Sequence, residues 1–285
     1  MKSNSASNKT LKANLNTKSQ KKSKKIVRPK CSKLELAYAD TKNKILHELG
    51  QGTYGLTFRG CYNTVCSIKQ GIKLSSVSTR YPDDKFHPTN LEINMGKELS
   101  TFVQKGYTPN INMIMESTRC NLDELKKLKS IKGSTWLKEN LELRSQGNIH
   151  SFINIYFMEI GTMDLKKFIK MRCEQKTIDF PEMLEIMFQI FHTLSVIQYK
   201  IPEYRHNDLK PNNLLVKISG DNLGRDFNQF SLVDSFQNGS KKFFLPHRGY
   251  TVKIIDFDFN NARKYPNRKL RGYKNTNFRY LGYSP

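Results

Sequence analysis

Apolar positions fall in short strand-like runs around residues 45–69 and recur at helical spacing over residues 180–198. Residues 45–69 favour strands. Ile45, Leu46 and Leu49 lead into Gly50-Gln51-Gly52-Thr53-Tyr54-Gly55, and Leu56, Thr57 and Phe58 follow. After a turn at residues 60–63 comes Val65-Cys66-Ser67-Ile68-Lys69. β-Branched and aromatic residues on both sides of the glycines predict a hairpin followed by a further strand. A helix is expected over 90–105, and strands over 111–115 and 152–158. Between those strands, residues 121–144 are charged and helix-prone and read as an insertion. Residues 164–173 suit a short helix. Residues 180–198 suit a longer one, with Pro181 in its first turn. Met183, Leu184, Met187, Phe191, Leu194 and Val196 give it a broad apolar face. Short strands at 214–218 and 252–255 are separated by a loop rich in Gly, Asn, Asp and Ser.

Composition narrows the class. The chain has 285 residues, 37% of them hydrophobic, with 17 Phe and 13 Tyr. That is enough to fill a core, so full disorder is excluded. No apolar run approaches 18 residues, which excludes a membrane-spanning helix. The opening Met-Lys-Ser-Asn-Ser has no apolar stretch behind it, so no secretory signal is read. Cys31, Cys61, Cys66, Cys120 and Cys173 form no Cys-x-x-Cys pair and are expected as reduced thiols, implying an intracellular protein.

The formal charge is +23. Residues 1–34 hold 11 Lys or Arg and no acid, among many Ser, Asn and Thr. Such a segment buries too little apolar surface to offset its chain entropy and is expected to be a disordered basic arm. Lys21-Lys22-Ser23-Lys24-Lys25 suits a nuclear address, or contact with nucleic acid or another polyanion, beside the plainer reading of a solvated tail. The rest, 35–285, is read as one domain.

Chemistry-bearing residues cluster in five places. Gly50-x-Gly52-x-x-Gly55 is a weak signal alone, but a strand rather than a helix follows it. Glycines at a hairpin tip let backbone N–H groups approach phosphate oxygens. Lys69, on the next strand, offers an ammonium to phosphate and needs a carboxylate to fix it. Glu92 and Glu98 are the candidates. Glu98 is preferred, because Phe102 one turn later can pack inward, whereas Glu92 is followed at that spacing by Gly96. In His206-Asn207-Asp208-Leu209-Lys210-Pro211-Asn212-Asn213, Asp208 can accept a hydroxyl proton, Lys210 can reach a phosphoryl group, and Asn213 offers an oxygen to Mg²⁺. Ile254-Ile255-Asp256-Phe257-Asp258 ends an apolar strand in a carboxylate suited to a hard cation.

In this order the five segments resemble the protein kinase catalytic domain, from about residue 46 to 285. The resemblance implies an α+β, protein kinase-like two-lobed fold. The N-lobe, at about 44–158, is an antiparallel β-sheet; the helical C-lobe, at about 159–285, is partial; insertions fall at about 119–148 and 218–250. It implies transfer of the γ-phosphoryl group of Mg-ATP to a Ser or Thr hydroxyl of a protein. Leu49, Gly50, Gln51, Gly52, Thr53, Tyr54, Gly55, Leu56, Thr57, Lys69 and Glu98 would serve the nucleotide. Phe157-Met158-Glu159-Ile160-Gly161 would form the hinge against adenine, with Ser67 and Leu215 also beside the base. Asn213 and Asp256 would hold Mg²⁺, and Asp208 and Lys210 would act at the acceptor. Lys210 is similar to serine/threonine rather than tyrosine kinases.

The departures set the alternatives. Asn207 stands where the family has Arg, so switching by loop phosphorylation is not expected. Asp258 replaces the glycine of Asp-Phe-Gly. Asp208 and Asp256 are 48 residues apart, with the excess between Ile218 and Tyr250. Together with Asp-Phe-Asp, this is similar to kinases of large DNA viruses, the poxvirus virion-assembly kinase among them, which implies a virion or host-cell location. Tyr283-Ser284-Pro285 looks like the start of the Ala-Pro-Glu element, so the C-lobe reads as truncated after the activation segment. A pseudokinase or nucleotide-binding interaction module is the first alternative, a small-molecule kinase the second, and a basic nucleic-acid binder the third.

Overall fold

The computed structural model describes residues 47–52, 55–61, 69–80, 82–128, 131–218, 233–238, 241–246 and 248–267. The basic arm expected at 1–34 and the Tyr-Ser-Pro end lie outside these residues, as do Thr53, Tyr54 and Ser67.

Five antiparallel strands form the main sheet, in the order β1-β2-β3-β5-β4. They are β1 (His47–Gly52), β2 (Gly55–Cys61), β3 (Lys69–Ser78), β4 (Ile114–Asn121) and β5 (Ile149–Met158). The glycine segment is a hairpin, as expected: Gly52 pairs with Gly55 at the tip, and His47 with Arg59 at the base. The following strand runs over Lys69–Ser78, so residues 65–69 contribute only its first residue to the described strand. This shift of the expected strand matters for the site.

Strand alternation divides the sheet into two faces. Leu56, Phe58, Ile72, Leu74, Ile153, Ile155 and Phe157 point to one face and are almost wholly buried. The cover comes from the insertion at 121–144, where α2 (Leu122–Leu125) and α3 (Thr135–Ser145) lie. Leu122, Leu125, Leu128, Ile131, Trp136 and Leu137 join the strand residues in one core cluster. The charged composition hid this apolar subset. Asn121 and Ser134 cap the two helices, their side chains accepting from the Asp123 and Leu137 backbone N–H groups.

The other face of the sheet meets α1 (Pro88–Gln104), which carries Pro in its first turn. Met95, Leu99 and Phe102 of α1 enter a second core with Phe168, Ile186, Ile190, Val196, Val216, Val252 and Ile254. These belong to α4 (Leu165–Glu174), α5 (Phe180–Lys200) and a three-stranded sheet ordered β10-β7-β6. Its strands are β6 (Met163–Asp164), β7 (Leu214–Ile218) and β10 (Tyr250–Ile254). The architecture is therefore α+β, with an antiparallel sheet and several helices around two cores.

The apolar face expected on α5 is divided. Ile186, Ile190, Val196 and Ile197 are buried, while Phe180, Leu184, Met187 and Phe191 stay exposed at 73%, 53%, 44% and 57%. Within the expected insertion at 218–250, a hairpin forms from β8 (Val233–Asn238) and β9 (Lys241–Pro246). Cys61 and Cys120 are each disulfide-bonded, correcting the expectation of five reduced thiols, while Cys173 is free and exposed. Spacing along the chain does not say which sulfurs a fold brings within bonding distance. Among the described residues, no helix is long and apolar enough to cross a membrane.

Candidate active site

A cleft of about 500 Å³ opens where the main sheet meets the three-stranded sheet. Leu49, Gly50, Gln51 and Thr57 line one wall. On β3, Ile72 and Leu74 point into the sheet core, so alternation turns Gly71 and Lys73 towards the cleft.

Lys73 Nζ lies 2.6 Å from Glu92 Oε1 and 3.4 Å from Asp256 Oδ1. The Lys73 and Glu92 side chains are only 15% and 5% exposed. Burial alone would depress the lysine pKa. The charges of Glu92 and Asp256 outweigh it and hold the group well above its ordinary value. The ammonium therefore stays charged.

Two expectations are corrected here. Lys69 is exposed at the start of β3, paired with Cys61 at the end of β2 remote from the glycine tip. Lys73 pairs with Thr57 and is the lysine in the cleft. Glu98 does not meet Lys69. Its carboxylate accepts from Lys264 Nζ at 2.9 and 3.1 Å and from the Tyr265 hydroxyl. Glu92 was disfavoured because Gly96 follows it, yet that glycine is what seats the helix. A Cβ at position 96 would lie 2.4 Å from Ile114 Cδ1, so a side chain there would force Ile114 to shift.

The segment after β5 closes the back of the cleft. Glu159, expected to serve the nucleotide, lines the cleft with its carboxylate engaged by other groups. The carboxylate accepts from the Met113 backbone N–H at 3.1 Å, Lys253 at 2.9 Å and Lys217 at 2.9 Å. Burial would raise its pKa, but Lys253 and the other donors hold it below the usual carboxylate value. Gly161 lines the cleft, and a Cβ there would meet Leu215 Cβ at 2.7 Å. Leu56 is another correction: it is fully buried in the sheet core and does not line the cleft.

The floor is built from the loop that ends in β7 and from the end of β10. Arg205 and Asn261 exchange backbone hydrogen bonds at 2.8 and 3.0 Å. His206 Nε2 donates to the Ile255 carbonyl at 2.9 Å, and burial lowers the pKa of this ring. Asn207 has φ +60 and donates from Nδ2 to the Phe259 carbonyl at 2.9 Å. Asn is among the few residues that accept this left-handed conformation readily. Lys210 Nζ sits 3.0 and 2.8 Å from the two Asp208 carboxylate oxygens. Asn213 Nδ2 donates to the Asp208 backbone oxygen at 2.9 Å and to Oδ2 at 2.8 Å. The Ile255 N–H donates to the Asn213 carbonyl at 3.1 Å, tying this loop to the strand that delivers Asp256. Asp256 itself has φ +66 and borders the cleft.

Asp258 is only 4% exposed. Burial first, then the nearby carboxylates of Asp256 and Glu92, push its pKa up to about 8. The structure thus brings Asp208, Lys210 and Asn213 together, and Lys73, Glu92 and Asp256 together. Sequence reasoning missed Lys73 and ranked Glu92 behind Glu98. The signal available was strand register, since Lys73 falls opposite Thr57 and Lys69 does not.

No protein-family model matches the chain. A protein of Acanthamoeba polyphaga mimivirus named "Putative serine/threonine-protein kinase R400" is 29% identical over 225 residues, covering 73% of this chain and 45% of its own length. A second mimivirus protein, "Putative serine/threonine-protein kinase R301", is 33% identical over 78 residues, covering 27% of this chain and 18% of its own length. The chain spans less than half the length of either relative.

Proposed function

We propose, from this kinship with viral serine/threonine-protein kinases and from the geometry of the cleft, that the chain is an ATP-dependent serine/threonine protein kinase of two-lobed form. The observation that carries the reading is the Lys73–Glu92–Asp256 cluster. It sets one buried, permanently charged ammonium between a helix carboxylate and a strand-end carboxylate, beside a cleft roofed by a glycine hairpin. An ammonium so held suits phosphate oxygens.

Each remaining group then has a task. Backbone groups from Met158 to Gly161 face the base, with Thr57, Gly71 and Leu215 against its ring. Asp208 aligns the acceptor hydroxyl and takes its proton. The hydroxyl oxygen forms the new bond to the γ-phosphorus, the bond to the bridging oxygen breaks, and its electron pair leaves with the diphosphate. Lys210 pairs with the Asp208 carboxylate at 2.8 and 3.0 Å and reaches towards the transferring group. Positioning and charge neutralisation supply most of the acceleration in such reactions.

The donor set fits Mg²⁺. Asp256 presents a partly exposed carboxylate. The amide NH₂ of Asn213 is committed to Asp208, which leaves its side-chain oxygen for a cation. Among the described residues, no group of three or more His, Cys, Asp or Glu could hold a metal. Mg²⁺ takes one or two protein ligands and completes its shell from phosphates and water. When bound, the ion would neutralise charge on the phosphate oxygens.

One observation favours a second reading, a nucleotide-binding module without transfer: Asp258, in place of glycine, adds a buried carboxyl beside Asp256. Labelled ATP with basic and acidic protein acceptors tests the choice. Transfer that is lost in Asp208→Ala while nucleotide affinity stays within about twofold supports the kinase. Nucleotide binding with no transfer by the parent chain selects the module.

A further inference from the structure

Tyr156 and Lys73 are directly opposed across the β3–β5 pairing, so their side chains leave the sheet side by side on the cleft face. The lysine Nζ lies 5.8 Å from the tyrosine ring centroid. Tyr156 is 1% exposed and Glu92 4%. Glu92 spends Oε1 on Lys73. Its Oε2 is buried without a hydrogen-bond partner, and so is the Tyr156 hydroxyl. Burial and the Glu92 charge hold the phenol pKa well above its ordinary value, so the hydroxyl keeps its proton and is a donor at any physiological pH. A buried carboxylate oxygen without a donor and a buried O–H without an acceptor are both costly, and here they flank the same ammonium.

We propose that Tyr156 is a positioning residue whose hydroxyl donates to Glu92 Oε2 and thereby fixes the carboxylate that holds Lys73. The inference deepens the kinase reading and rests on it for its catalytic consequence. The pairing itself does not depend on catalysis. Glu92 is thereby held from two directions without using a second proton of the ammonium, whose other contact is Asp256 Oδ1 at 3.4 Å.

Tyr156→Phe keeps the ring and removes only the donor. Losing a hydrogen bond to a charged group corresponds to roughly tenfold or more, so kcat is expected to fall about tenfold, with the dissociation constant for metal-free nucleotide moving less than about twofold. A purely structural ring would instead leave Tyr156→Phe with parental kcat and make only Tyr156→Leu defective. The decisive measurement is a double-mutant cycle of Tyr156→Phe and Glu92→Gln, followed by urea unfolding as well as by transfer. Tyr156→Phe should cost stability in the parent and little in the Glu92→Gln background. Additive effects in unfolding would overturn the pairing whether or not the chain transfers phosphate. Coupled unfolding with no transfer by the parent would uphold the pairing and refute the kinase reading instead. Should Glu92→Gln not fold, an unchanged unfolding midpoint for Tyr156→Phe would alone overturn the proposal, and a lowered one with parental Tyr156→Phe structure would sustain it.

Discussion

Replacing Lys73 by Met separates the two lysines that the sequence offers. The methionine fills nearly the same volume but leaves Glu92 without its counter-ion at 5% side-chain exposure. Breaking a buried pair by removing one partner costs about 3–5 kcal/mol. The 15% exposure of the lysine side chain argues for the lower end, near ~3 kcal/mol. Transfer should fall by about a hundredfold or more, since a charge aimed at the phosphates is lost. Lys69→Met is the control. Lys69 is exposed at the strand end, and such surface changes stay within about 0.5 kcal/mol. Urea unfolding gives the first quantity, and initial rates with labelled ATP give the second. If Lys69→Met destroyed transfer while Lys73→Met preserved stability and rate, the register argument would be refuted. Restoration of stability in Lys73→Met/Glu92→Leu, where both members of the Lys73–Glu92 pair are gone, would confirm that the loss came from the orphaned Glu92 carboxylate.

Other expectations follow from single contacts. Gly161→Ala should weaken nucleotide binding, because the new methyl meets Leu215 at the cleft wall; unchanged affinity by calorimetry would contradict this. Gly96→Ala should lower stability by about 1–3 kcal/mol through overpacking against Ile114, read from the unfolding midpoint. His206 is buried with its pKa lowered by desolvation. The unfolded ring therefore binds a proton first as pH falls below about 6.5, and stability should decline from there downwards. His206→Gln should show a shallower decline between about pH 6.5 and pH 5, and equal slopes would rule the ring out as the source. Glu98→Gln should release Lys264 and Tyr265 with little effect on Lys73, so proteolysis of the segment after Asp258 should accelerate while nucleotide affinity holds.

Much of the fold was legible in the sequence. The glycine hairpin, the helix at 90–105 and the strand at 214–218 follow from local pattern, because each has a period or punctuation of its own. The third strand was not, since Val65-Cys66-Ser67-Ile68-Lys69 and Gln70-Gly71-Ile72-Lys73 both read as extended. Only pairing with β2 decides between them. The lysine error followed from that slip. The glutamate error had a different source: an inward-packing residue was sought one turn after the glutamate, and Gly96 was passed over although Ile114 packs against it. The side-chain direction of Glu159 was invisible because its partners Lys217 and Lys253 come from strands far along the chain. The insertion was read by its charge, and the apolar residues by which it covers the sheet were overlooked.

The helix α1 is fastened at two points. Glu92 ties its middle to β3 through Lys73, and Glu98 ties its far half to Lys264 and Tyr265. A rod pinned twice cannot rock, so the ground state already holds the arrangement that a swinging helix would have to reach. Asn207, bonded to the Phe259 carbonyl, fastens the loop that carries Asp208 to the segment after Asp256 in the same way. Amide exchange along α1 should then be equally slow with and without nucleotide, and a marked slowing on binding would show that the pins were loose.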